Sequence, residues 1–329
     1  MDRQGAVAAL RAAVTAFDRE LGAVDDRWCV ALSGGADSLA LTAVAADTKP
    51  TVALIVDHQL QANSATVART AQQQALSVGC VTAQVVRADV GTEGGPEAAA
   101  RTARYRALEL ARNGLPVLLG HTLDDQAETV LLGLGRGSGP RSIAGMRVCD
   151  PPWYRPLLGM RRTTTRAACA ELGLTPWQDP HNTDRRFTRV RLRQEVLPLL
   201  EDVLGGGVAE ALARTAGALR ADTDTLDELA EHALAGLCRE DGLDTAELAL
   251  LPEALRRRVI RRWLLDGGAS GLTDKQIRGV DTLITAWRGQ GGVAVGSPLR
   301  GRRLIAGRRG GMLTLHTEAV RNMKNCAGA

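Results

Sequence analysis

The sequence is poor in lysine, poor in aromatic residues and free of long apolar runs. Only Lys49, Lys275 and Lys324 are lysines among 41 basic residues, so arginine carries nearly all the positive charge. Two Phe, two Tyr and five Trp are too few for base stacking to dominate any affinity for nucleic acid. No stretch approaches the roughly 18 uncharged apolar residues that a membrane span requires. The first residues already include Asp2, Arg3, Arg11, Asp18, Arg19 and Glu20, which leaves no room for a signal-peptide core. Cys29, Cys80, Cys149, Cys169, Cys238 and Cys326 form no C-x-x-C pair, so neither a zinc ribbon nor an iron–sulfur site is expected. These absences point to a cytoplasmic protein without a membrane partner, and they leave a homodimer open.

What remains is an ordinary globular composition, 45% hydrophobic and 24% charged over 329 residues, enough for two domains. The net charge of +4 hides a strong segregation. Residues 155–193 and 251–329 are net basic, and 201–250 between them are net acidic. Two basic blocks suggest a polyanionic partner, with arginine forks suited to phosphate.

Hydrophobic periodicity predicts an amphipathic helix over 6–22, where Val7, Leu10, Val14, Phe17 and Leu21 share a face. Buried strands are expected at 28–32, 51–56, 81–87 and 116–120, with helices at 39–46, 64–78, 96–112 and 122–134. Such alternation predicts a parallel, helix-covered sheet, an α/β fold of Rossmann-like kind. Ligands of such sheets lie beyond the carboxyl ends of the strands. Here those ends are Ser33–Ser38, Asp57-His58 and Gly120-His121. Beyond Gly135 the alternation stops: helices are expected near 161–172, 185–200, 208–235 and twice within 250–289, then short strands over 293–315. Gly205-Gly206-Gly207 marks the boundary between residues 1–205 and a smaller, mainly helical part, 206–329.

Ser33-Gly-Gly-Ala-Asp-Ser38 is the sharpest signal. Two glycines between serines, after a strand and before a helix, present backbone N–H groups and hydroxyls at a helix N-terminus, where phosphate binds. The spacing is not that of a Walker loop. The second cluster is Gly120-His-Thr-Leu-Asp-Asp-Gln-Ala-Glu-Thr129. Thr122 and Asp125 form a capping-box pattern, and Asp125 and Glu128 project from one helix face. Such a pair serves a magnesium ion or a cationic substrate, or equally a plain acidic first turn.

S-G-G-x-D-S resembles the signature of the PP-loop family, which cleaves ATP to AMP and pyrophosphate. The resemblance narrows to the tRNA(Ile)-lysidine synthetases, in their compact actinobacterial form. It rests on H-x-x-D-D-Q-x-E-T at 121–129, Val56-Asp57-His58-Gln59-Leu60, Glu97-Ala-Ala-Ala-Arg101-Thr-Ala-Arg104-Tyr105, Arg136-Gly-Ser-Gly139 with Gly145-Met146, and Asp179-x-x-Asn182 followed by Arg189, Arg191 and Arg193. It runs from about Trp28 to Leu200 and is weak beyond. Val190 and Gln61 depart from it, standing where Asn and Arg are common. The resemblance implies ATP held by Ser33, Gly34, Gly35, Asp37, Ser38, Asp57, His58, Gly120 and His121, with Mg2+ on Asp37 and Asp125. Asp37, Asp125 and Glu128 would be catalytic, and Arg101, Arg104, Tyr105, Arg136, Asn182, Arg189 and Arg191 would face RNA or substrate. The implied reaction joins L-lysine to C2 of the wobble cytidine of tRNA(Ile) with anticodon CAU, through an adenylated cytidine. The alternatives are another PP-loop tRNA modifier such as a 2-thiolase, a non-catalytic RNA-binding PP-loop protein, and a synthetase that adenylates a small molecule. The basic segments 256–262 and 300–309 are expected to contact RNA as well.

Overall fold

A computed structural model describes residues 5–20, 25–59, 63–91, 95–137, 139–297 and 301–319. Leu60, Gln61, Ser138 and Cys326, and the side chain of Glu97, lie outside the described part. The chain divides into two compact units, Met1–Gly217 and Ala218–Ala329. The boundary drawn at 205 lies in the turn just before helix Val208–Leu237, and the division between units falls inside that helix.

The first unit is built on β1 (Trp28–Ala31), β2 (Thr51–Asp57), β3 (Thr82–Arg87), β4 (Val117–Leu119), β5 (Cys149–Asp150) and β6 (Trp153–Tyr154), in the order β3-β2-β1-β4-β6-β5. All pairs are parallel except β5 with β6. That short hairpin is an addition to the expected strands: two residues each give no periodicity to read. The parallel α/β sheet expected from the alternation is present. Strand order reverses between β1 and β4, so the two loops leaving them diverge and open a crevice. Register places Ala31 beside both Leu54 and Leu119, so β4 ends level with the start of the Ser33 loop and β2 runs three residues further, to Asp57.

Helices α1 (Ala6–Glu20), α2 (Ala36–Thr48), α3 (Ser64–Ser77), α4 (Pro96–Ala111), α5 (Leu123–Arg136), α6 (Pro140–Ile143) and α7 (Arg162–Glu171) flank the sheet. Alternation along β1 sorts them by face. Trp28, Val30 and Leu32 pack with α1, α2, α3 and α7, whereas Cys29 faces Leu108 of α4 on the other side. Buried on every face from Ser38 to Ala45, α2 lies inside the layer rather than on it.

The helix expected over 185–200 runs without a gap from Thr188 to Val203, as α8 (Thr188–Arg191), a π-helical turn Leu192–Val196, and α9 (Leu197–Val203). The widened turn ends at Leu197-Pro198, where proline can donate no backbone hydrogen bond to the turn before it.

In the second unit, the part of α10 (Val208–Leu237) beyond Gly217 is followed by β7 (Cys238–Arg239), β8 (Gly242–Asp244), α11 (Thr245–Leu250), α12 (Glu253–Asp266), α13 (Asp274–Thr285), β9 (Val293–Val295), β10 (Arg302–Arg309) and β11 (Met312–Ala319). The strands form an antiparallel sheet in the order β7-β8-β11-β10-β9, around a core that includes Leu243, Leu248, Ile260, Leu264 and Val280. The acidic and basic blocks of the sequence meet here. Arg256 is buried with its Nε 2.6 Å from Asp281, which also accepts Arg257 at 3.0 Å. Arg258 pairs with Asp227, and Arg262 with Glu231 and Asp266. Of the segment 256–262 expected to contact RNA, Arg256 is buried away from solvent, whereas Arg262 is exposed. Arg256 ties α12 to α13, because a buried guanidinium is tolerable only when paired. Arg308 donates to the Leu283 carbonyl at 3.0 Å near the end of α13, a favourable place for a cation. Among the described residues no helix is long and apolar enough to cross a membrane.

Candidate active site

The Ser33–Ser38 segment turns from β1 into α2 as its residue types dictate. Gly34 sits at φ +86°, a left-handed conformation that favours glycine, and its carbonyl accepts the Trp177 amide at 2.9 Å. Gly35 caps α2 without any side chain engaging the first-turn amides, so those N–H groups remain for a ligand. Ser38 braces the turn: its Oγ accepts from the Ser33 amide at 3.2 Å and donates to the Gly35 carbonyl at 3.0 Å. The two serine hydroxyl oxygens stand 3.1 Å apart. Gly120, leaving β4, presses on this turn from behind. A Cβ there would lie 2.9 Å from both Cα and N of Ser38, so only glycine lets the strand end approach.

The acidic face of α5 lies next to it. Thr122 caps the helix and Asp125 completes the capping box, its Oδ2 accepting the Thr122 amide at 2.8 Å. Asp125 therefore has the plain structural role and a second one, because its other oxygen accepts from Arg162 at 2.5 Å. Arg162 is the hub of the site. Its Nε lies 3.4 Å from Asp37 Oδ2, its Nη1 is 3.3 Å from Glu128 Oε1, and its backbone amide donates to Asp124 at 2.7 Å. Arg193 adds a two-pronged contact to Glu128, at 2.8 and 3.2 Å, and Arg189 stands 4.0 Å from the same carboxylate. Glu128 has no solvent exposure at all, which explains the number of arginines around it. Thr165 donates its hydroxyl to Asp37. Burial raises the pKa of Asp37, against the opposing effects of Thr165 and Arg162. Burial acts the same way on Asp125, but Arg162 together with the Thr122 amide and hydroxyl outweighs it, and that pKa is lowered. A cavity of about 140 Å³ adjoins the cluster, lined by Asp124, Glu128, Arg161, Arg162 and Arg193 among others.

Asp37, Asp125, Glu128 and Arg189 are thus brought to one place, beside the Ser33–Ser38 turn. The other candidates group elsewhere. Asp57 closes β2 and accepts the Gln59 amide at 2.9 Å, and the next residue, His58, receives Arg104 Nε at 3.4 Å. Arg101 lies over the Tyr105 ring at 4.9 Å, and Tyr105 in turn meets Trp153 edge-on at 4.8 Å. His58 and His121 each keep a buried Nδ1 without a partner. Burial pushes both imidazoles toward the neutral form, His121 to about 4. Asn182 lies exposed on a short 3-10 turn, Arg191 is paired with Glu195 at 3.2 Å, and Arg136 is exposed in the last turn of α5. Gly145-Met146 is held by the Gln126 amide, which accepts from Met146 N at 2.7 Å and donates to Met146 O at 3.0 Å.

Sequence reasoning missed Arg162, Thr165, Asp124 and Gln126. One signal was available for Arg162. It opens α7 behind Arg161 with no acid in the first turn, the wrong end of a helix for a cation unless carboxylates await it.

The description "PP-loop domain" matches residues 9–200, and "TilS substrate binding domain" matches 243–317. The tRNA(Ile)-lysidine synthase of Mycobacterium tuberculosis is 71% identical over 324 residues, 97% of this chain and 100% of that protein. The chain belongs to the tRNA(Ile)-lysidine synthase family. The Mycobacterium leprae member is 68% identical with the same coverage, and that of Rhodococcus erythropolis 60% identical over 96% of each chain. Outside the lysidine synthases, the U34-tRNA thiolase NcsA from Methanococcus maripaludis, solved with its [4Fe-4S] cluster, superposes with a TM-score of 0.52 at 17% identity. It covers 65% of this chain and 79% of that one, a likeness of fold alone.

Proposed function

We propose that this protein is a cytoplasmic ligase that uses ATP to join L-lysine to C2 of the wobble cytidine of tRNA(Ile) bearing CAU. AMP and pyrophosphate would be the other products. The observation that carries the reading is the meeting of Asp37, Asp125 and Glu128 on one guanidinium, directly beside a turn with uncapped helix amides. That juxtaposition suits a reaction between a polyphosphate and a cationic nucleophile. The two-part organisation supports it: residues 1–205 would carry the chemistry and 206–329 would hold the RNA.

In this reading the Ser33–Ser38 turn and the first amides of α2 take the phosphates and stabilise charge on the departing pyrophosphate with donors already in place. The cytidine O2 attacks the α-phosphorus and pyrophosphate leaves, giving an O2-adenylated cytidine. The ε-amine of lysine then attacks C2 and AMP departs with the oxygen. Asp125 and Glu128 orient the lysine ammonium and accept its proton as the amine becomes nucleophilic. His121 and His58, neutral at pH 7, offer buried acceptors to the nucleotide side. Arg189 and Arg193 would neutralise phosphate near Glu128. Arg101, Arg104, Tyr105, Arg136, Asn182 and Arg191 would face RNA.

Magnesium fits this donor set. Two oxygen ligands, Asp37 and Asp125, meet at Arg162, and Mg2+ takes one or two carboxylates together with phosphate and water. When bound it would offset the negative charge of the polyphosphate.

The test is pyrophosphate release by the purified protein with transcribed tRNA(Ile) carrying CAU, with and without L-lysine. Release that requires the tRNA, with labelled lysine retained on it, supports the proposal. Turnover without lysine incorporation sinks the proposed substrate while leaving the ATP chemistry.

A further inference from the structure

The carboxylates assigned to the cationic substrate are already filled by a side chain of the protein itself. Arg162 reaches Asp125 at 2.5 Å, Glu128 at 3.3 and 3.4 Å, and Asp37 at 3.4 Å. A free ammonium cannot join a guanidinium on the same oxygens without like-charge repulsion in a poorly solvated place. Local structure does not call for an arginine here. It stands in the first turn of α7, where the helix dipole opposes a cation, and Arg161 precedes it with its own partners, Asp124 and Glu210. The backbone of Arg162 is held by its amide, which donates to Asp124 at 2.7 Å. Only the side chain is left to move, and the cavity of about 140 Å³ that it lines gives it room.

We infer that Arg162 is a resident stand-in for the cationic substrate, a positioning and specificity-determining residue that must be displaced before lysine binds. The inference rests on the lysine-binding reading above. In the free protein the guanidinium holds the three carboxylates gathered around it. An incoming ligand has to supply its own cation to Asp125 and Glu128 before Arg162 turns out, so neutral or wrongly placed amines fail to load. The arrangement costs affinity, because apparent binding is reduced by the fraction of molecules in which the site stands open.

The experiment compares the full-length wild type with Arg162→Gln and Arg162→Lys, reading lysine KM, ATP KM and kcat separately. With the open form populated at about 1–10%, removing the internal competitor lowers the lysine KM by about 10- to 100-fold in Arg162→Gln. ATP KM stays within about threefold. Arg162→Lys, which tethers an ammonium in the same place, keeps a lysine KM near that of the wild type. A folded Arg162→Gln whose lysine KM is unchanged or raised overturns the inference and makes Arg162 a permanent scaffold. Should Arg162→Gln not fold, the wild type decides alone. In nitrogen-15 spectra, the arginine Nε–H signal that is missing from Arg162→Lys is protected in the free protein, and it loses that protection on saturation with L-lysine. Protection that persists at saturation overturns the inference. A wild type that incorporates no lysine sinks the functional reading and this inference together, an outcome separable from the others.

Discussion

Gly35→Ala separates what the fold needs from what a ligand needs. The backbone at Gly35 has φ −72° and ψ 161°, an extended conformation open to alanine. The only heavy atom near an added Cβ is Ser33 Oγ at 3.6 Å, an ordinary contact. Alanine caps helices less well than glycine, by roughly 0.5–1 kcal/mol, and the loss of unfolded-chain entropy offsets this by about 0.4–1 kcal/mol. Net stability should therefore change by less than about 1 kcal/mol. If the turn cradles phosphate, however, the new methyl points where the backbone must approach the ligand. We expect ATP affinity to fall by at least about tenfold, equivalent to about 1.4 kcal/mol. Thermal denaturation measures the first quantity and titration with ATP the second. An unchanged melting temperature with unchanged ATP affinity would refute the assignment of this turn to phosphate. A large loss of stability would refute the packing argument instead.

Gly120→Ala should behave in the opposite way. Its Cβ meets Ser38 backbone at 2.9 Å, so overpacking costs about 1–3 kcal/mol, and pyrophosphate release falls as the turn is displaced; a stable, fully active variant would show that the approach is not tight. Asp281→Ala strands the buried Arg256 and should destabilise the second unit by about 3–5 kcal/mol in denaturant titrations, without any RNA present. Arg303→Ala and Arg309→Ala, on exposed ends of β10, should instead leave stability unchanged, weaken tRNA binding and shallow its salt dependence. His121, at about 4 in the folded protein against 6.5 for the free side chain, binds its proton more readily when unfolded. Its neutral form therefore favours the fold above about pH 6.5, and that contribution is lost as pH falls toward 4, by about 2 kcal/mol at pH 5. His121→Asn should flatten this part of the stability–pH curve, and an unaltered slope would assign the acid sensitivity to other groups.

The sequence by itself determined the parallel sheet and the location of its ligand turn. Both depend on short-range patterns: apolar runs at 28–32, 51–56 and 116–120 alternating with helices, and serines and glycines at one strand end. It also determined that Asp125 and Glu128 share a helix face, since that needs only a spacing of three. The β5–β6 hairpin was illegible, because strands of two residues have no period and arise from pairing beside β4. The π-helical turn at Leu192–Val196, inside the helix expected over 185–200, likewise left no periodic trace. Charge proved the least legible feature. A run of arginines at 256–262 looks the same in one dimension whether it faces solvent or Asp281, and only packing put Arg256 on that carboxylate. The same holds at the candidate site. Asp37, Glu128 and Arg162 lie far apart in the chain, and their meeting depends on the adjacency of β1 and β4 and on the placement of α7. Tertiary structure alone decided which charges are neutralised, because ion pairing depends on distance in space and burial, and neither is encoded by neighbours in sequence.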